Sequence, residues 1–205
     1  MHARTRVWLT TVGALCALAL AAQIASAGRF EVSAQSFRVV WPHVTFLEPG
    51  GVFTECPMTL EGTLHRSTFT KVSGSLLGYV TRGIVTEGTC TGAAQIRTLQ
   101  ETLPWHVRYD GFEGTLPNIT GLRYQFIGMT ISAVGGLCVY RSETARPVRI
   151  VNHIVANEIN NVQWDETLPI TKIFGNELCR PSLRLQGNGT ATILGGTTRL
   201  RVRLI

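Results

Sequence analysis

Short runs in which apolar and polar residues alternate recur along this chain, and that period of two constrains the fold more than any other feature. In an extended chain successive side chains point to opposite faces, so each run predicts a strand with one face for a core and one for solvent. Phe37, Val39 and Trp41 alternate with Ser36, Arg38 and Val40. Cys56, Met58, Leu60, Gly62 and Leu64 are flanked by Glu55, Pro57, Thr59, Glu61, Thr63 and His65. Further runs are Trp105, Val107 and Tyr109 against His106, Arg108 and Asp110, and Leu122, Tyr124 and Phe126 against Arg123 and Gln125. Leu183 and Leu185 alternate with Arg184 and Gln186, and the last run sets Leu200, Val202 and Leu204 against Arg199, Arg201 and Arg203. Turn-forming residues separate the runs at Pro49-Gly50-Gly51, Thr91-Gly92, Asp110-Gly111, Pro117-Asn118, Gly135-Gly136, Gly187-Asn188-Gly189 and Gly195-Gly196. The last of these lies between Thr190–Leu194 and Thr198–Leu204 and predicts a terminal hairpin. Helix formers never accumulate over a long window. Ser73–Thr86 has Leu76, Leu77, Val80 and Ile84 at helical spacing, but Gly74, Gly78, Thr81 and Gly83 favour a strand. Ile150–Ile159 is apolar on both parities and reads as a strand buried on both faces. The expectation is an all-β fold of roughly nine to twelve strands: a single-domain antiparallel β-sandwich, with a closed β-barrel as the alternative.

The first 27 residues have the three-part form of a secretory signal: Arg4 and Arg6, an apolar run from Val7 to Ala22, then Ala25-Ser26-Ala27 before a predicted cut. The apolar run is shorter than the roughly 20 residues of a spanning helix. The expected organisation is a signal peptide at 1–27 and one secreted β domain at 28–205, with no membrane span after cleavage. Cys16 leaves with the signal, and Cys56, Cys90, Cys138 and Cys179 remain. An even number in an exported chain predicts two disulfides. Four cysteines allow three pairings; Cys56–Cys90 with Cys138–Cys179 is preferred because each then closes a loop of a few strands. Spacings of more than 30 residues argue against a zinc site, and no metal or cofactor is expected. An outer-membrane barrel would need aromatic girdles and an aromatic closing strand, whereas this chain has few aromatics and ends on Ile205.

The chain carries 19 basic and 13 acidic residues, a net +6, and without Arg4 and Arg6 the remainder is +4. That is too small for a nucleic-acid binder. Arginine outnumbers lysine 17 to 2, which points to a GC-rich bacterial genome. His43, His65, His106 and His153 are single and far apart, and no G-x-S-x-G elbow is present. Asp110 and Glu113 lie near Trp105 and Tyr109, where a sugar could stack, but read more simply as a polar turn after a core strand. Asp165-Glu166 is the one adjacent acidic pair. Trp41 and Trp105 fall on apolar parities, whereas Trp164, followed by two acids, is the candidate exposed ligand-stacking aromatic. Arg199, Arg201 and Arg203 share a strand face, joined by Arg184 if its strand lies in the same sheet. They form a candidate anion-binding surface for a cell-wall polymer or extracellular glycan.

Four stretches also carry a resemblance: Cys56–Gly62, Thr102–Tyr109, Gly114–Gly121 and the closing Leu194–Ile205. Together they resemble a group of uncharacterised exported β-rich proteins of high-GC bacteria. The resemblance implies an exported β domain with paired cysteines and implies no activity. Two functions of different class follow from the reading as a whole. One is a non-enzymatic extracellular binding or interaction module. The other is a secreted hydrolase with an unrecognised active site.

Overall fold

Alternation becomes strand wherever it occurs. The computed structural model describes residues 28–205 apart from 52, 87, 93, 94 and 166, so the predicted signal peptide with Cys16, and Glu166, lie outside the described residues. The first strands are β1 (Arg29–Val32), β2 (Ser36–Leu47), β3 (Phe53–Leu64), β4 (Thr68–Thr70), β5 (Leu76–Val85), β6 (Arg97–Thr98), β7 (Trp105–Thr115) and β8 (Asn118–Ile127). They are followed by β9 (Thr130–Ala133), β10 (Cys138–Arg141), β11 (Val148–Val155), β12 (Glu158–Trp164), β13 (Ile170–Phe174), β14 (Ser182–Gln186), β15 (Asn188–Ile193) and β16 (Val202–Leu204). Among the described residues there is no α-helix, only single 3-10 turns at Gln100–Thr102 and Val134–Gly136.

Eight strands in the order β15-β12-β11-β8-β7-β5-β3-β2 form an antiparallel wall, and β2 returns to β15 to close it as a barrel. Thr190–Ile193 pairs with Val40–Phe37 on one side of β15, and Gly189 and Asn188 pair with Val162 and Gln163 on the other. The closed barrel, the alternative of the two expected architectures, therefore forms in place of the sandwich put first. Two stacked sheets would need free edges at β2 and β15, and these two strands bond each other.

The barrel interior is apolar. Trp41 stacks on Trp164 with ring centroids 4.8 Å apart, and its indole N–H donates to the Val162 carbonyl at 2.9 Å. Val39, Leu60, Val80, Val107, Phe126 and Ile150 fill the remainder. Arg38, Glu61, Asp110, Arg123 and Arg149 point outward and pair with one another or with Arg82 and Asp165. Charge outside and hydrocarbon inside reverse the pattern of a barrel that faces lipid. Among the described residues no helix is long and apolar enough to cross a membrane.

Only part of β2 belongs to the barrel. Its register against β3 shifts between Trp41 and Val44, so Pro42 and His43 form a bulge. Pro42 has no N–H to leave unpaired there. Opposite the bulge, Gly187 separates β14 from β15, and a Cβ at that position would collide with the His43 carbonyl oxygen. Beyond the bulge β2 pairs with β14 and enters a second sheet, β2-β14-β13-β10-β9-β6. That sheet curls back on the barrel, where the Thr98 hydroxyl donates to the Gly83 carbonyl at 2.5 Å. The preferred pairing, Cys56–Cys90 and Cys138–Cys179, is the one that forms: the first ties the start of β3, opposite Val44, to the β5–β6 connection, and the second ties β10 to the β13–β14 connection of this sheet.

A three-stranded sheet, β16-β1-β4, covers one mouth of the barrel. Phe30 from β1 and Phe69 from β4 pack on Tyr109 at 6.1 and 5.8 Å, and Val32, Leu200 and Val202 are buried beneath the sheet. Three local expectations are corrected. Ile150–Ile159 is a hairpin rather than one strand, because Ala156 and Asn157 adopt φ of 50° and 65° and turn the chain between β11 and β12. Asp110-Gly111 is a bulge inside β7, not a turn. The terminal hairpin forms but is shorter than expected: Ile193 N–H donates to the Thr198 carbonyl, Thr192 bridges Arg199 and Leu200 N–H donates to the Ala191 carbonyl, after which the chain crosses to β1.

Candidate functional site

Three places bring polar side chains together, and the barrel interior is the first. Tyr124 and Asn152 face each other through a hydrogen bond, in a cavity of about 50 Å³ also lined by Phe37, Val107 and Ile150. Burial raises the Tyr124 phenol above its ordinary range, the nearby Tyr109 adds to this, and the Asn152 bond opposes it. The space admits no more than a few waters, against the roughly 300 Å³ or more of a small-molecule pocket. The barrel holds its own side chains rather than a ligand.

The second place is on the outer wall, where Asp110, Arg149 and Asp165 meet. Arg149 Nε lies 2.6 Å from Asp110 Oδ2, and its Nη1 lies 3.1 Å from Asp165 Oδ2. The Gln125 amide donates to Asp110 Oδ1 at 2.6 Å. Burial pushes the Asp165 carboxyl upward, but the Thr167 hydroxyl and amide and the Arg149 guanidinium outweigh it and hold the group below its usual range. A catalytic carboxyl pair needs one member kept protonated near neutrality. Here Arg149 bridges the two carboxyls, and Asp165 is shifted downward, opposite to the direction a catalytic acid needs. Trp105 and Tyr109 point into the barrel while Asp110 points out, so the sugar-stacking neighbourhood is split by the wall.

The third place surrounds the capping sheet. Leu200 and Val202 are buried and Arg199, Arg201 and Arg203 are exposed, so the arginine stripe has the parity read from the sequence. Each is already engaged. Arg201 donates to Glu158 Oε1 through Nε and Nη2 at 3.1 and 2.7 Å; Arg203 pairs with Glu31 at 2.5 Å; Arg199 donates to the Asn160 amide oxygen. Arg201 and Arg203, with Ser33, Ser67 and Asn157, line an open groove of about 560 Å³. Arg184 does not join them: it lies on β14 opposite Leu47, in the second sheet, because Gly187 interrupts the strand between β14 and β15.

Trp164 is a correction. It is 1% exposed and its face is taken by Trp41, so it offers no exposed stacking surface. Asp165, which follows it, lies just past the end of β12. The histidines do not gather: His65 and His106 flank the Tyr79 ring at 4.9 and 5.3 Å, and no cluster of three potential metal ligands occurs among the described residues. No family model, curated protein or solved structure matches this chain.

A second groove, which the alternation did not reveal, opens on the other side of β1. It measures about 410 Å³ and is lined by Arg29, His65 and Arg66, with Thr68, Thr70 and Ser75 beside them. None of the residues that line it is acidic, and among the described residues no carboxylate lies within ion-pairing distance of Arg29 or Arg66. These residues come from β1, the β3–β4 loop, β4 and the approach to β5. The only sequence signal was the His65-Arg66 pair at the end of the Cys56 run.

Proposed function

We propose that this chain is an exported, non-enzymatic binding module that uses its capping sheet to hold an anionic extracellular polymer or glycan. The observation that supports the reading is the charge around that sheet: Arg29, Arg66, Arg199, Arg201 and Arg203 against Glu31 and Glu158. Such a local excess attracts anions even where the whole molecule is only mildly basic. Exposed Arg–Glu pairs contribute little stability, and their unused N–H groups remain free to meet an anion. Disulfides are at home outside the cytoplasm, and the leader-like first 27 residues agree with export.

The test has two parts. N-terminal sequencing of protein from the culture medium is expected to begin at Gly28; retention of residues 1–27 removes the exported reading. Binding to anionic wall polymers is expected at low salt and to fall as salt rises, since exposed charges are screened over about 8 Å at physiological ionic strength. Changing Arg199, Arg201 and Arg203 together to Gln is expected to weaken that binding while leaving the fold intact. Absence of salt-sensitive binding in the unmodified protein removes the binding reading.

A further inference from the structure

The groove between β1, β4 and the start of β5 has a chemistry more specific than general attraction for anions. Its cations are Arg29, Arg66 and, when protonated, His65, with no acid among the described lining residues. A guanidinium presents its N–H groups as a planar fork that matches two oxygens of a phosphate or sulfate. Arg201 and Arg203 turn part of that fork toward glutamate, whereas Arg29 and Arg66 have no such partner among the described residues. Ser75 adds an independent sign. Its hydroxyl oxygen is shielded and has no hydrogen-bond partner among the described residues, although Ser75 lines the groove. A buried hydroxyl without a partner is unfavourable. A ligand oxygen that reached it from the groove would satisfy it.

The same space also has an apolar side. Leu76 is 41% exposed and lines the groove beside Leu64. That surface suits the C–H face of a sugar ring. A volume of about 410 Å³ lies within the ordinary range for a small-ligand site and holds one substituted ring, not a length of polymer.

We infer that the groove formed by Arg29, His65, Arg66 and Ser75 is a subsite for a single phosphate or sulfate ester carried on a sugar. This deepens the binding reading above and rests on it. The arginine forks take the ester oxygens, Ser75 donates a further hydrogen bond, and Leu76 and Leu64 contact the ring. Phosphate and sulfate esters share this chemistry, and matched probes separate them.

The experiment titrates the protein with glucose 6-phosphate, glucose 6-sulfate, glucose, inorganic phosphate and inorganic sulfate, using calorimetry and amide chemical shifts. At least one ester is expected to bind tenfold or more tightly than glucose and more tightly than its inorganic ion, and the stronger ester identifies the natural group. Arg29→Gln with Arg66→Gln is expected to lose tenfold or more. Arg66→Lys, which keeps charge but not the fork, is expected to lose less, and Ser75→Ala to lose severalfold. Arg184→Gln, on the second sheet and away from the capping sheet, is expected to stay within twofold of the unmodified protein. Both arginines of the groove are exposed, and unchanged melting temperatures verify that the variants fold. The inference is overturned if glucose binds as well as its esters, if the inorganic ions bind as well, or if the Arg29/Arg66 variant matches the unmodified protein. Polymer binding is measured on the same samples. Failure of the esters with polymer binding intact removes only this subsite, and failure of both removes the binding reading as well.

Discussion

Gly189 shows how closely one residue controls the barrel interior. A Cβ built there would come within 2.7 Å of both Trp41 Cδ1 and the Val40 carbonyl oxygen. Gly189→Ala must displace Trp41 from its stack on Trp164, so urea denaturation is expected to show a loss of about 1–3 kcal/mol. Tyr109 is the opposite case. It is 1% exposed, yet its hydroxyl has no hydrogen-bond partner among the described residues. Burial pushes the phenol up to about 12, with Arg123 lowering it and Asp110 raising it by smaller amounts. The folded value lies above the unfolded one of about 10. Its contribution to stability is therefore complete below about pH 10 and is lost as pH rises toward 12. Tyr109→Phe removes both the unsatisfied hydroxyl and that loss. It is expected to be about 1 kcal/mol more stable at neutral pH, with a margin that widens from pH 10 to 12 in chemical denaturation.

At the scale of elements, the two halves of β2 belong to parts held together in different ways. The barrel is closed by backbone hydrogen bonds around its whole circumference. The second sheet is open, its strands β9, β10, β13 and β14 have four or five residues each, and Cys138–Cys179 ties β10 to the β13–β14 connection. With sequence separations of 34 and 41, chain entropy assigns each bridge roughly 4 kcal/mol. Replacing Cys138 and Cys179 together by Ser is expected to cost about 2–5 kcal/mol. Hydrogen exchange should rise first in β9, β10, β13 and β14, with β7, β8 and β11 still protected. The strands themselves were legible because alternation reports a buried face directly. The turn at Ala156-Asn157 was not, because its left-handed residues are not glycine and both flanks are apolar. Asp110-Gly111 misled in the other direction: a glycine within a strand served a bulge.

For the whole molecule, β2 and the β14–β15 segment run through both the barrel and the second sheet. Neither part can lose this ribbon without disturbing the other. Calorimetry is expected to show one unfolding transition with equal calorimetric and van't Hoff enthalpies, and two resolved transitions would show that the parts are separable. Why closure was hidden from the sequence is also clear at this scale. Alternation says which face of a strand is buried and nothing about its neighbours, and the closing contact joins Arg38 to Thr192 across 154 positions. The candidate site divides in the same way. The parity of Arg199, Arg201 and Arg203 was legible within one strand, whereas the groove of Arg29 and Arg66 exists only where β1 meets β4. Trp164 was misread because local acids outweighed a core position set by a distant strand. Closure also governs how copies of the chain meet. The strands at the open ends of the sheets are β4 and β16, of three residues each, and β6, of two. Amyloid-type stacking recruits stretches of about six residues with their hydrogen-bonding edge bare. This molecule can be crowded in a hostile medium and still offer its neighbours almost no template on which to grow a fibre.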